Sequence, residues 1–161
     1  MEKDTAAAES RSIFIVTGRV QGVGFRPHVY RVALSCCLCG SVRNTDRGVR
    51  IEVQGAASSI ERFALRLRAD LPPLARISSL EREDVPFDPS LPESFVIEES
   101  APEGGAKGIL VSPDMAMCGR CLADMLDPAD RRFGYAFTNC TDCGPRYSIT
   151  RSLPYDRPFT S

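Results

Sequence analysis

Two C-x2-C pairs, Cys118 with Cys121 and Cys140 with Cys143, are separated by the stretch 122–139. Thiolates on two tight turns can supply four soft ligands at the corners of a tetrahedron, which suits structural zinc. Thiol redox chemistry or unrelated cysteine pairs are the other readings. A four-thiolate site leaves no open coordination position, so such a metal would hold the fold together rather than react. Cys36 and Cys39 form a third C-x2-C at the end of a predicted helix, where the dipole disfavours a thiolate. Packing is expected there, with Cys37 on the apolar side.

A second stretch, "GRVQGVGFR" at 18–26, places three glycines and two arginines between an apolar run and a proline. Glycines let successive N–H groups converge on an anion, and a helix starting at Pro27 would add its positive end there. Arg26 stands at the junction with a planar fork suited to phosphate. The backbone of Val20, Gln21, Gly22, Val23, Gly24, Phe25 and Arg26 is the candidate phosphate cradle. A tight turn with a solvated arginine fits the same pattern. The loop lacks the Gly-Lys-Ser/Thr of a nucleotide P-loop. It also lacks dinucleotide glycine spacing, and the next strand offers Asn44 instead of an acidic ribose ligand.

These groups need elements to position them. "SIFIVT" (12–17) reads as a strand buried on both faces. Tyr30, Ala33, Leu34, Cys37 and Leu38 repeat at helical spacing, with Gly40 as the C-terminal cap. "SVRNTDRGVRIEVQG" predicts a hairpin turning at Asp46-Arg47-Gly48, its second strand alternating Val49, Ile51 and Val53 with polar residues. Ser58 and Glu61 suggest a capping box for a helix that buries Ile60, Phe63, Ala64, Leu67 and Leu71. "ARISSLERED" predicts a weaker strand and "SFVIEES" a better one. The expected class is α+β. A ferredoxin-like β-α-β-β-α-β fold, two helices on one antiparallel sheet, precedes a small four-cysteine module. The expected divisions are a disordered leader (1–11), the α+β domain (12–100), a linker (101–110) and the cysteine module (111–161).

The chain has 161 residues, 43% hydrophobic and 25% charged, with a net charge of -1. That profile is globular and offers no surface for tracking a polyanion. "GVRIEVQG" carries none of the stacking aromatics an RNA-recognition sheet uses, so no nucleic-acid partner is expected. No apolar run reaches the roughly 20 residues of a membrane span, and "MEKDTAAAESR" is too acidic for a targeting peptide. A cytoplasmic location with reduced cysteines is therefore expected.

"GRVQGVGFR" taken with "SVRNTDRGVRIEVQG" resembles the signature of the acylphosphatases, small ferredoxin-like enzymes that hydrolyse acyl phosphates. The resemblance implies that the loop amides and Arg26 hold phosphate while Asn44 positions the attacking water. The chemistry is coherent. An acyl phosphate expels a stabilised carboxylate or carbamate, so positioning and charge balance suffice without a strong general acid. His28, the single histidine, is read as a first-turn helix residue rather than a catalyst.

The extension "GFRPHVYRVA" and the region from Ser112 to Ser161 are similar to the hydrogenase-maturation carbamoyltransferase family. His28 departs from it, standing where that family more often has an aromatic residue. The resemblance implies carbamoyl phosphate as substrate and zinc as metal. It implies as partners the carbamoyltransferase domains that family carries and a hydrogenase-maturation protein that accepts the carbamoyl group. The chain is expected to end between two fingers, so its cysteine pairs could close one zinc site or be shared with a second finger. A non-catalytic phosphate-binding fragment with a structural zinc module is the alternative.

Overall fold

The computed structural model describes residues 9–100, 116–140 and 143. Of the expected divisions, the linker 101–110 and most of the leader lie outside these residues. The chain runs through β1 (Glu9–Arg19), α1 (Phe25–Ser35), β2 (Cys39–Thr45), β3 (Gly48–Ala56), α2 (Ala57–Ala69), β4 (Arg76–Val85), β5 (Phe95–Ile97) and α3 (Gly119–Leu126). One sheet has the order β4-β1-β3-β2-β5. Its first four strands pair antiparallel, and β5 adds a short parallel edge beside β2. The sheet is thus mixed, where a wholly antiparallel one was expected.

Residues 9–11, expected in the leader, are strand. Glu9 pairs with Ala56, and the Arg11 guanidinium bridges Glu52, with Nε to Oε1 at 2.8 Å. The sheet's ladder and this ion pair outweigh the polar composition.

Burial along β1 alternates. Phe14 and Val16 are sealed under the helices, while Ile13 and Ile15 are half-covered. The expectation of a strand buried on both faces fails because helices cover one face only. Phe14 packs against Phe63 of α2, ring centroids 5.7 Å apart, and joins a core with Val29, Val42, Ile51, Ile60 and Leu67. Burying each such side chain contributes about 1.5–3 kcal/mol.

The inner face of α1 is also rotated from the predicted one. Phe25, His28, Val29, Val32 and Ala33 are buried, and Leu34 and Cys37 are exposed. Cys37 takes the left-handed conformation, with φ at 56°. The N–H of Leu38 then reaches Ala33 O and that of Cys37 reaches Leu34 O, closing the helix in a Schellman motif. Gly40, expected as that cap, lies in β2. Cys36, not Cys37, fills the core. α2 begins at Ala57 without a side-chain cap, so the Ser58–Glu61 box is not used. Glu61 instead pairs with Arg82 of β4.

The two C-terminal strands reverse their expected strengths. The charged stretch forms a ten-residue strand along β1, and the more apolar one pairs over three residues. Arg82 makes this possible by laying its guanidinium 5.7 Å from the Phe14 ring centroid while its charge meets Glu61 and Asp84.

Candidate active site and metal centre

The glycine loop leaves β1 through a register shift between Thr17 and Gly18. Val20, Val23 and Phe25 anchor in the core with 1% of their surface exposed. These anchors fix three of the loop's side chains in the core. Gly22 (φ 70°) and Gly24 (φ 74°) take left-handed conformations that a Cβ would strain. Gly24 is also the N-cap of α1, and the first helical bond runs from His28 N–H to Gly24 O at 3.2 Å. The N–H groups of Phe25 and Arg26 precede that bond, at the positive end of the helix. Arg26 is the second residue of α1 and half-buried.

Asn44, next to last in β2, is paired with Val49 of β3 and only 1% exposed. Its Oδ1 and Nδ2 are both buried without a hydrogen-bond partner among the described residues. Leaving a buried amide unpaired costs about 1–3 kcal/mol, so an unpartnered amide in a native fold signals something missing from the surroundings or a role in chemistry. One side chain links this strand end to the loop. Gln21, 2% exposed, donates from Nε2 to Thr45 O at 2.8 Å and to Gly48 O at 2.7 Å. The candidate cradle and Asn44 therefore belong to one hydrogen-bonded unit. The spacing of loop and hairpin in the sequence carries no sign of this clamp, because it depends on a side-chain amide reaching carbonyls more than twenty residues away.

His28 lies beside the loop but faces inward. It is 3% exposed, with Nε2 3.3 Å from Leu67 O on α2. Burial holds its pKa below the usual value, so the ring is a neutral core group here.

The four cysteines converge, their Sγ atoms all within 4.8 Å of one another. Cys118 and Cys140 are 3.6 Å apart, Cys121 and Cys143 3.7 Å, and Cys140 and Cys143 3.7 Å. Sulfurs at the corners of a tetrahedron with Zn–S bonds of about 2.3 Å stand about 3.8 Å apart, so the donor set fits a zinc-sized ion. The backbone N–H of Cys121 leads in holding the Cys118 thiol down, to about 7, while burial pushes Cys121 up. Both pairs lie within one module, so closing the tetrahedron needs no further finger. α3 was not anticipated. Cys118 is its N-cap and Cys121 lies in its first turn, which sets the short reach between the first two thiols. The Asp124–Arg132 ion pair at 2.7 Å and the bond from Gly134 N–H to Met125 O at 2.9 Å fold the following loop back onto α3. Gly119 has open space where a Cβ would stand, so crowding does not require a glycine there.

Residues 12–97 match the acylphosphatase family model. The chain belongs to the acylphosphatase family. Residues 117–150 match a second model, the HypF finger. Among curated relatives, the chain is 49% identical over 146 residues to the carbamoyltransferase HypF2 of Cupriavidus necator, covering 91% of this chain and 18% of that protein. It is 37% identical over 76 residues to an acylphosphatase of Staphylococcus aureus, covering 47% of this chain and 85% of that one. A crystal structure of full-length HypF in a phosphate- and nucleotide-bound form superimposes with a TM-score of 0.87 at 39% identity, over 98% of this chain and 20% of that one. The acylphosphatase of Bacillus subtilis, at 28% identity and a TM-score of 0.51, covers 56% of this chain and 99% of its own. The acylphosphatase unit followed by the finger is thus the arrangement of HypF, and the chain spans about a fifth of the HypF relatives' length. No helix among the described residues is long and apolar enough to cross a membrane.

Proposed function

We propose that this chain hydrolyses an acyl phosphate, with carbamoyl phosphate as its substrate, and carries one structural zinc. The observation that supports this most is the buried, unpartnered amide of Asn44, next to the Thr45 carbonyl that Gln21 ties to a loop ending at Arg26. The amides of residues 20–26 and the Arg26 guanidinium bind the phosphoryl oxygens and balance their charge. The Asn44 amide holds a water in line with the bond to be broken. The water oxygen attacks phosphorus, the bond from phosphorus to the bridging oxygen breaks, and carbamate departs. The water's proton goes to solvent or to the product phosphate. No side chain has to act as a strong acid, because carbamate is a stabilised leaving group. Cys118, Cys121, Cys140 and Cys143 would hold the zinc, whose contribution is to order the module.

By similarity to HypF, the carbamate passes to carbamoyltransferase domains, and a hydrogenase-maturation protein receives the carbamoyl group in the cytoplasm. The acylphosphatase domain is assigned to 12–100 and the finger segment to 111–161, joined by the linker 101–110. The test is phosphate release from carbamoyl phosphate and acetyl phosphate, side by side, on zinc-replete protein. Turnover with preference for carbamoyl phosphate is expected. Saturable phosphate binding without turnover of either acyl phosphate would leave a non-catalytic phosphate-binding fragment.

A further inference from the structure

We infer that Gln21 is a positioning residue whose side-chain amide sets where Asn44 stands relative to the phosphate cradle; this rests on the function proposed above. A glutamine is usually found at the surface, yet this one is sealed in, and a buried amide must place its donors. Nε2 has two hydrogens, and it donates to two carbonyls, Thr45 O and Gly48 O. Those residues pair with each other to close the β2–β3 ladder.

The turn they bracket is braced from within. Thr45 Oγ1 accepts the Arg47 N–H at 3.3 Å and lies 3.4 Å from Gly48 O. The hairpin tip therefore moves as one piece, and Asn44 is the residue immediately before Thr45. The Asn44 side-chain amide has no partner among the described residues, so it takes its position from the backbone that carries it. Val20, Val23 and Phe25 anchor the loop by apolar contact, which is non-directional and tolerates sliding. Gln21 supplies a directional link between loop and hairpin tip. A displacement of about 1 Å at a reacting centre can cost about 10²-fold in rate, so a clamp here governs turnover without touching substrate.

The test uses the whole zinc-loaded chain with Gln21→Met, similar in length without a donor, Gln21→Glu, which sets a carboxylate against two carbonyls, and Gln21→Lys, which restores donors. Three readouts are taken: kcat and KM for carbamoyl phosphate, Ki for inorganic phosphate, and amide NMR during phosphate titration. Gln21→Met should lower kcat by about 10²-fold while Ki stays within about threefold of the parent's. Loop amides at 20–26 should still respond to phosphate, but the Asn44 side-chain NH2 signals should lose their parental response. Gln21→Glu should be the worse of the two, and Gln21→Lys should recover part of kcat.

Parental kcat and Asn44 response in Gln21→Met would overturn the inference. Loss of phosphate binding along with kcat would make Gln21 part of the cradle, and failure of all three variants to fold would make it structural; either result overturns it. If the parent binds phosphate without turnover, the enzyme reading fails, and the Asn44 signals alone still decide the role of Gln21.

Discussion

His28 on α1 and Leu67 on α2 meet through a hydrogen bond, with the imidazole Nε2 3.3 Å from the Leu67 carbonyl. A carbonyl only accepts, so Nε2 carries the proton and the neutral ring leaves Nδ1 as its acceptor nitrogen. Burial is the leading cause that lowers its pKa, and the nearby charges of Arg31 and Arg66 add to it. The Leu67 bond and Asp70 oppose it. The phenyl ring of Phe25 lies 6.1 Å away and offers no charge to offset protonation.

The folded pKa of His28 is thus below an unfolded value of about 6.5. The unfolded chain binds the proton more readily, so stability is full above about pH 6.5 and declines as pH falls from there to the folded pKa. Urea unfolding of parent and His28→Phe at pH 7.5 and 5.5 measures this. The parent should lose more stability than the variant between the two pH values, and equal losses would show that the ring titrates normally. Hydrolysis at pH 7.5 should survive in His28→Phe, since the imidazole faces the core.

Asn44 should show opposite effects on stability and activity. Asn44→Leu removes an unpartnered buried amide and keeps its shape, so the protein should gain about 1–3 kcal/mol. Hydrolysis should fall by about 10²-fold or more, while phosphate affinity stays near the parent's. Asn44→Ala should lose the same activity without the gain in packing. Asn44→Asp should not restore activity, because a carboxylate would repel the anionic substrate. Denaturant melts and phosphate inhibition on the same preparations separate these effects, and full hydrolysis in Asn44→Leu would remove the water-positioning role.

Arg26 should behave differently, since it is proposed to hold the ground-state phosphate as well as the transition state. Arg26→Ala should weaken phosphate inhibition and nearly abolish turnover together. Arg26→Lys should recover binding in part and turnover less, because a point charge lacks the two-pronged fork. Equal Ki values for parent and Arg26→Ala would place the anion elsewhere.

Removing the metal should melt the module selectively. The buried core of the α+β unit, from Phe14 to Phe95, includes no residue of the cysteine module. Elemental analysis should find about one zinc per chain. Cys121→Ser, or a strong chelator, should abolish ordered amide signals for 116–140 and leave those of 12–97 in place. Collapse of both sets would mean that the α+β unit depends on the metal.

Patterns carried by neighbouring residues were legible in the sequence. The two C-x2-C pairs, the glycines before Pro27, the Asp46-Arg47-Gly48 turn and the period-two alternation of β3 each express a local backbone or ligand requirement. Tertiary packing decided the rest. Apolar residues lie on more than one side of α1, and contact with the sheet selected Phe25, Val29, Val32 and Cys36 over Leu34 and Cys37. The charged stretch 76–85 became the longer strand because β1 offered it a full antiparallel edge, a pairing between segments more than fifty residues apart. The resemblance also implied one site made of the loop and Asn44, without the contact that joins them. Only the folded chain seals Gln21 between them and leaves the Asn44 amide buried without a partner, because the register of the sheet brings residues 21, 44, 45 and 48 together.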